Sequence, residues 1–148
     1  MDEPKKAPTG STLEAFYAGW ETYQNLLIAA LIPLTPDQLA FSVGNDLRTI
    51  EVIARHMIGA RARWMHAALN DEPGLEALRH WDASDAPLRT AADLVSGLQT
   101  TWGYIQAALA RWTPADMAEP FTRTRGDQTY TYTRQWVIWH LIEHDLHH

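Results

Sequence analysis

The sequence predicts an all-α fold, a four-helix bundle whose helices are joined by long connections. Apolar residues recur in four segments at a spacing of about 3.6 residues, the period of an amphipathic helix. Stretches that contain proline and glycine separate these segments. The length of 148 residues, with 46% hydrophobic residues, fits one globular domain. We therefore expect a single bundle domain at residues 11–148, preceded by a flexible leader at residues 1–10.

Capping residues and prolines bound the first two predicted helices. Ser11-Thr-Leu-Glu14 has the form of a capping box, so the first helix should begin there. Pro33 and Pro36 should end it, because proline lacks the backbone N–H that a helix interior needs. The second helix should begin near residues 46–49 and stop at the turn-forming residues 70–74. Its inward stripe is predicted to comprise Ile50, Ile53, Ala54, Met57, Trp64 and Ala68.

A long connection leads to the third helix. Residues 71–89 contain two prolines and mixed polar residues, so we expect a loop with at most one short helical turn near residues 75–79. Thr90-Ala-Ala-Asp93 has the form of a second capping box, which predicts that the third helix begins there and runs to Trp112. Pro114 should close it.

A segment of alternating character precedes the last helix. Between Phe121 and Thr133, β-branched and aromatic residues alternate with polar ones around Gly126-Asp127. This alternation predicts either a small hairpin or an extended crossing segment. The last helix should begin near Thr133 and run to the end of the sequence.

Composition and charge argue against several functions. The net charge of −6 argues against nucleic acid as a partner, because phosphate binding needs a concentrated basic face. No stretch reaches the roughly 18 apolar residues of a membrane span, and the N-terminus lacks the apolar core of a signal peptide, so we expect a cytoplasmic protein. The absence of cysteine removes disulfides, thiolate ligands and a cysteine nucleophile. Tryptophans on more than one side of the helices favour a homodimer.

The closing residues of the sequence are the strongest indication of function. Residues 140–148 hold four of the seven histidines. On a helix, His140, His144 and His148 form one stripe with His147 beside it, because residues four apart lie on one face. Imidazole is the commonest protein ligand of first-row transition metals. The segment therefore predicts part of a metal site, in preference to a metal-free polar stripe or the remnant of a tag.

The rest of the last helix predicts how this stripe is oriented. An apolar arc lies roughly opposite the imidazoles and comprises Ile138, Trp139, Ile142 and Leu146. The helix should therefore pack on this arc and line a cleft with its imidazoles. Glu143 and Asp145 lie at the boundaries between the two arcs, where either could orient a ligand ring.

A third ligand is expected, because catalytic metal sites usually combine three protein ligands with one open position. The other histidines are His56, His66 and His80. His56 is the best candidate by position, since it lies mid-way along the second helix on the flank of the apolar stripe. Arg61 and Arg63 could attract a carboxylate-bearing substrate, but we interpret them first as solvated surface residues.

Two histidine-containing motifs and the connection between them form a recognisable pattern. The second helix carries Ile53-Ala-Arg-His56-Met-Ile-Gly-Ala, followed by Arg61 and Trp64. After the long middle connection, the sequence closes with Trp139-His140-Leu-Ile-Glu-His144-Asp-Leu-His147-His148. Together these features resemble the DinB-like proteins, the DinB/YfiT superfamily of metal-binding four-helix bundles. The resemblance covers nearly the whole chain.

This resemblance implies a set of metal ligands. In the family, one histidine of the second helix joins a His-x-x-x-His pair late in the last helix around a divalent ion. Matched residue by residue, the ligands are His56, His144 and His148. His140 with His144 is the alternative pair, and His140 or His147 could be an additional ligand. Zinc and nickel suit all-imidazole ligation best, followed by iron and manganese.

The resemblance also implies a function. Some relatives are similar to thiol-dependent S-transferases or isomerases that use low-molecular-weight thiols such as bacillithiol or mycothiol. Because this sequence has no cysteine, the thiol must come from a cosubstrate. We therefore expect a metal-dependent enzyme that acts on a small molecule by thiol transfer. The alternative is a non-catalytic metal-binding or stress-response module, in which a fourth protein ligand saturates the ion.

The resemblance further implies a longer last helix than this sequence contains. Family members usually continue after the double histidine, commonly with Arg-Gly and further helix, whereas this sequence ends at His148. We therefore expect one predicted ligand to lie on a terminal turn, where helices fray.

Overall fold

The computed structural model describes residues 12–148, which form a mostly helical structure with one small β-sheet. The predicted leader at residues 1–10 and Ser11 of the first capping box lie outside the described residues. In chain order, the elements are α1 (Thr12–Phe16), α2 (Ala18–Leu31), α3 (Pro36–Leu39), α4 (Ile50–Ala68), a 3₁₀ helix (Pro73–Leu78), α5 (Ala91–Arg111), α6 (Pro114–Met117), β1 (Pro120–Arg125), β2 (Gln128–Thr133) and α7 (Arg134–His147).

The first predicted helix is divided into two. Tyr17 leaves the helical conformation at ψ 12°, so α1 ends before it and α2 begins after it. Its ring is buried and packs edge-on against Phe16 and Trp139. We expected Pro36 to end the first helix, but it begins the short α3 instead. Thr35 caps α3 through its side chain.

The core lies where α4 contacts α5 and α7, while α2 packs on α5. Ile58 of α4, Leu98 of α5 and Leu141 of α7 are almost completely excluded from solvent. Gly97 permits the close approach of α4 and α5, since a Cβ atom there would lie 2.9 Å from Cδ1 of Ile58. Within residues 12–148, no helix has the length and apolarity that crossing a lipid bilayer requires.

The connection after α4 is anchored rather than free. It contains the 3₁₀ helix, which is longer than the single turn that we expected and contacts α4. Leu75 and Leu78 from this helix are buried. The connection is therefore held against the same helix that carries His56.

The alternating segment forms the predicted hairpin. β1 and β2 pair antiparallel from Pro120 opposite Thr133 to Arg125 opposite Gln128. Gly126 occupies the turn with φ +56°, a conformation that glycine adopts without steric cost. Thr133 then caps α7, because its side chain accepts a hydrogen bond from the backbone N–H of Trp136. The hairpin thus leads directly into the helix that carries the histidine stripe.

Candidate metal centre

Three of the predicted site histidines lie together in the structure. One ring nitrogen each from His56, His144 and His148 lies within 4.8 Å of the other two. His56 comes from the middle of α4, and His144 and His148 come from the last turn and the C-cap of α7. The Nε2 atoms of His56 and His144 are 3.0 Å apart. Contact between α4 and α7 therefore brings together residues that are far apart in sequence.

The arrangement fits a divalent cation. A nitrogen separation of 3.0 Å is within the span of two bonds of about 2.0–2.1 Å to a shared ion. Two imidazole lone pairs repel each other at this distance unless a hydrogen or a cation lies between them. Nδ1 of His144, which is not the nitrogen that faces His56, is buried and has no hydrogen-bond partner among the described residues. His148 is exposed, which allows its ring to rotate towards an ion.

The surroundings keep His144 and His148 neutral. Burial, followed by the positive charge of His56 and His148, lowers the pKa of His144 from 6.5 to about 4. Burial and neighbouring His56 also lower the pKa of His148. A neutral imidazole has a free lone pair, which is the form that binds metals. These two rings are therefore neutral at neutral pH, and each has one nitrogen lone pair with which it can bind an ion.

The second nitrogen of His56 has an acidic partner. Nδ1 of His56 lies 2.9 Å from Oδ2 of Asp82, in the connection between α4 and α5. Arg63 contacts the same carboxylate through two of its nitrogens. Burial alone would raise the pKa of Asp82, but the hydrogen bonds from Arg63 and His56 outweigh burial and lower it. Sequence reasoning missed Asp82, because nothing in the local pattern of the connection distinguishes it from the other acidic residues there.

The other histidines do not join this group. The ring of His140 stacks on Trp136 and lies 6.0 Å from that of His144. His147 is exposed, and its ring is 5.4 Å from that of His148. His66 instead contacts Asp71 and Glu76, whereas His80 is largely exposed in the connection.

The interpretation of Arg61 and Arg63 as solvated surface residues is wrong. Arg61 is fully buried, and its Nη2 lies 2.7 Å from Oδ2 of Asp145. Its Nη1 also donates to Oε1 of Gln24 at 2.7 Å. Arg63 is partly buried and paired with Asp82. A buried guanidinium needs acceptors, and these come from elements that are distant in sequence.

The predicted orientation of α7 needs a matching correction. Asp145 does not orient a ligand ring, because its carboxylate is buried and accepts hydrogen bonds from Arg61 and Trp20. Trp139 and Leu146, which we expected on the packed face, are 52% and 65% exposed. The buried residues of α7 are Val137, Ile138, Leu141 and Asp145. The face that α7 buries therefore differs from the face that hydrophobicity alone predicts, because it includes Asp145, which pairs with Arg61.

Aromatic residues lie beside the histidine group. The ring of Trp64 contacts those of Trp136 and His140, at centroid distances of 4.9 and 5.1 Å. Tyr132 of β2 packs edge-on against Trp64, and the guanidinium of Arg123 lies 4.3 Å from the centre of the Trp64 ring. The hairpin is therefore joined to α4 and α7 through this cluster.

Comparison with models of known protein families gives a match over most of the chain. A family model described as mycothiol-S-transferase matches residues 16–148, which include all three clustered histidines. Neither a search of curated proteins nor a search of solved structures found a match.

Proposed function

Because the chain belongs to the mycothiol S-transferase family, within the DinB/YfiT-like superfamily, we propose that it is a divalent-metal-dependent thiol S-transferase acting on small molecules. The observation that carries this proposal is the convergence of His56, His144 and His148, each with a nitrogen within 4.8 Å of the others. We assign these three residues as the metal ligands. The four long helices α2, α4, α5 and α7 are then the four-helix bundle of this superfamily.

The ligand set suits the activation of a thiol. When bound to three neutral imidazoles, a divalent ion keeps its full charge and lowers the pKa of a thiol in its open position. The chain has no cysteine, so the thiol is a cosubstrate, and the name of the family favours mycothiol. His144 and His148 contribute to this role by remaining neutral ligands. Zinc and nickel are the metals that all-imidazole ligation favours, ahead of iron and manganese.

The test combines metal analysis with a thiol-transfer assay. The purified protein is expected to contain one divalent ion per chain and to consume mycothiol in the presence of an electrophile such as monochlorobimane. Mass spectrometry should identify the S-conjugate that forms when the thiolate sulfur displaces chloride from monochlorobimane. Removal of the metal, or His56→Ala, should abolish the reaction. A chain with no stoichiometric metal would overturn the proposed metal dependence.

The same assay distinguishes a metal-dependent enzyme from the alternative, a non-catalytic metal-binding or stress-response module. A protein that binds one ion tightly but consumes no thiol would support a non-catalytic metal-binding or stress-response role. X-ray absorption then supplies the structural distinction, because a fourth protein ligand would close the position that the thiol needs. Comparison with glutathione tests whether the family name also describes the thiol specificity of this chain.

The predicted homodimer also remains a proposal. Phe16, Trp139 and Leu146 are 70%, 52% and 65% exposed, and they line one shallow apolar groove. Burial of such surface in a second copy would be favourable. Sedimentation equilibrium of the purified protein tests the oligomeric state directly, and a monomer at micromolar concentration would contradict a stable dimer.

A further inference from the structure

We propose that Asp82 is a positioning residue that fixes the ring of His56 for metal binding, and that Gly59 and Arg63 hold Asp82 in place. This inference rests on the assignment of His56 as a metal ligand. It adds a residue of the long connection to a site whose other members lie on α4 and at the end of α7.

The hydrogen bond between His56 and Asp82 selects one form of the imidazole. Nδ1 of His56 lies 2.9 Å from Oδ2 of Asp82, and a carboxylate can only accept a hydrogen bond. Nδ1 therefore carries the hydrogen, and the lone pair belongs to Nε2. That nitrogen faces Nε2 of His144 at 3.0 Å. Asp82 thus turns the metal-binding nitrogen of His56 towards the other ligands, as carboxylate partners of ligating histidines generally do.

Arg63 holds the carboxylate in this orientation. Its Nη2 lies 2.9 Å from Oδ2 of Asp82, and its Nη1 contacts Oδ1. A planar guanidinium that contacts both oxygens fixes the plane of the carboxylate as well as its position. Nη1 of Arg63 also donates to the backbone oxygen of Arg79 at 2.9 Å, so the same side chain anchors the connection itself. The positive charge of Arg63 balances the negative charge of Asp82 beside the metal ligand.

Gly59 provides the space that Asp82 occupies. A Cβ atom at Gly59 would lie 2.6 Å from Oδ1 of Asp82, closer than such atoms approach in proteins. Glycine in a helix interior is destabilising relative to alanine, so its presence here has a steric reason. One face of α4, over about two turns, thus presents His56, the open surface at Gly59 and Arg63 to a single carboxylate.

The connection is also fixed next to Asp82. Nη1 of Arg55, which is 7% exposed, donates to the backbone oxygen of Trp81 at 2.9 Å. Trp81 precedes Asp82, so this contact restricts the backbone that carries the carboxylate. Arg63 therefore holds the carboxylate of Asp82, and Arg55 holds the backbone next to it.

The test compares Asp82→Ala and the similarly sized Asp82→Asn with Asp85→Asn, an exposed residue of the same connection. Zinc affinity is measured by competition with a chromophoric chelator, and thermal unfolding shows whether each variant is folded. Asp82→Ala should bind zinc about 10- to 100-fold more weakly than the wild type, as expected for loss of an outer-shell partner. Asp82→Asn should lose less affinity than Asp82→Ala, because its amide oxygen can still accept the hydrogen bond from Nδ1 of His56 but carries no charge to pair with Arg63. Asp85→Asn should bind zinc like the wild type. Equal zinc affinities for the folded Asp82 variants and Asp85→Asn would overturn the proposal.

A second measurement does not depend on metal. The ¹⁵N chemical shifts of the His56 ring in the metal-free protein report which nitrogen carries the hydrogen. We expect Nδ1–H in the wild type and in Asp85→Asn, and loss of this preference in Asp82→Ala. Gly59→Ala should have the same effect, because it displaces Asp82 without removing it. An unchanged His56 tautomer in Asp82→Ala would overturn the inference even if the wild type binds metal. Absence of metal from the wild type would instead overturn the proposed function and the metal-binding purpose of the contact, while the tautomer measurement would still test whether Asp82 orients the ring.

Discussion

The carboxylate of Asp145 and the guanidinium of Arg61 form an ion pair at 2.7 Å in which both side chains are fully excluded from solvent. Arg61 lies on α4 and Asp145 on α7, the two helices that carry His56 and His144. Asp145 directly follows His144 in the sequence. The pair therefore fixes the position of one histidine-bearing helix relative to the other.

Loss of this pair should destabilise the protein. Asp145→Ala leaves the guanidinium of Arg61 buried without its anionic partner, and breaking a buried pair in this way costs about 3–5 kcal/mol in the free energy of unfolding. Urea denaturation of the metal-free protein measures this change. Glu143→Gln, at an exposed position on the same helix, is the matched control and should change the free energy by less than about 0.5 kcal/mol. Similar losses in the two variants would contradict the assigned role of the pair.

The adjacent histidines at the end of the chain should differ in their effect on metal binding. His148 belongs to the clustered group, whereas His147 is exposed and lies outside it. His148→Ala should weaken zinc binding by more than about 100-fold, because loss of a direct ligand exceeds the 10- to 100-fold effect of an outer-shell partner. His147→Ala should leave zinc affinity nearly unchanged. Isothermal titration of both variants checks this, and a larger effect at His147 would reverse the assignment.

His140 should not be needed for metal binding. Its ring stacks on Trp136 at 4.7 Å and does not belong to the clustered group. His140→Ala should therefore retain one metal ion per chain, as measured by elemental analysis after gel filtration. If His140→Ala loses the metal while His148→Ala retains it, the ligands are the alternative pair of His140 and His144.

The metal-free protein should lose stability as the pH falls from about 6.5 to about 4. His144 stays neutral in the folded state until its pKa of about 4, whereas in the unfolded chain it takes up a proton near its ordinary pKa of 6.5. Acid therefore favours the unfolded chain within this window, and stability rises again with increasing pH. Thermal unfolding in chelator-containing buffers from pH 4 to pH 7 measures the effect. His144→Gln should reduce the pH dependence, and an equal slope in this variant would show that other groups cause it.

The elements that could be predicted from sequence are those with local causes. The capping box of Thr90 and Asp93 is present at the start of α5, and the alternation around Gly126 forms the hairpin. Both depend on interactions between residues a few positions apart. The proximity of His144 and His148 could also be predicted from sequence, because helical periodicity alone places these two residues on one face.

The features that sequence could not provide depend on distant contacts. Arg61 is separated by 84 positions from the carboxylate that allows its burial. His56 and Asp82 are 26 positions apart, and the path between them is an irregular connection. Neither partner can be chosen from periodicity, because several acidic residues of the sequence could serve equally well. A rule that treats arginines on a helix as solvated fails where tertiary structure supplies the acceptor.

The contact between His56 and His144 also bears on how quickly a metal can enter. Because Nδ1–H of His56 donates a hydrogen bond to Asp82, Nε2 of His56 is an acceptor. Nε2 of His144 must therefore donate across the 3.0 Å that separates the two atoms. The lone pair of His144 then belongs to Nδ1, which is buried. Uptake of an ion between the two rings therefore requires the hydrogen of His144 to move from one nitrogen to the other. Metal loading is thus coupled to a tautomeric change of His144, and it should be slow because solvent does not reach the nitrogen that gains the hydrogen.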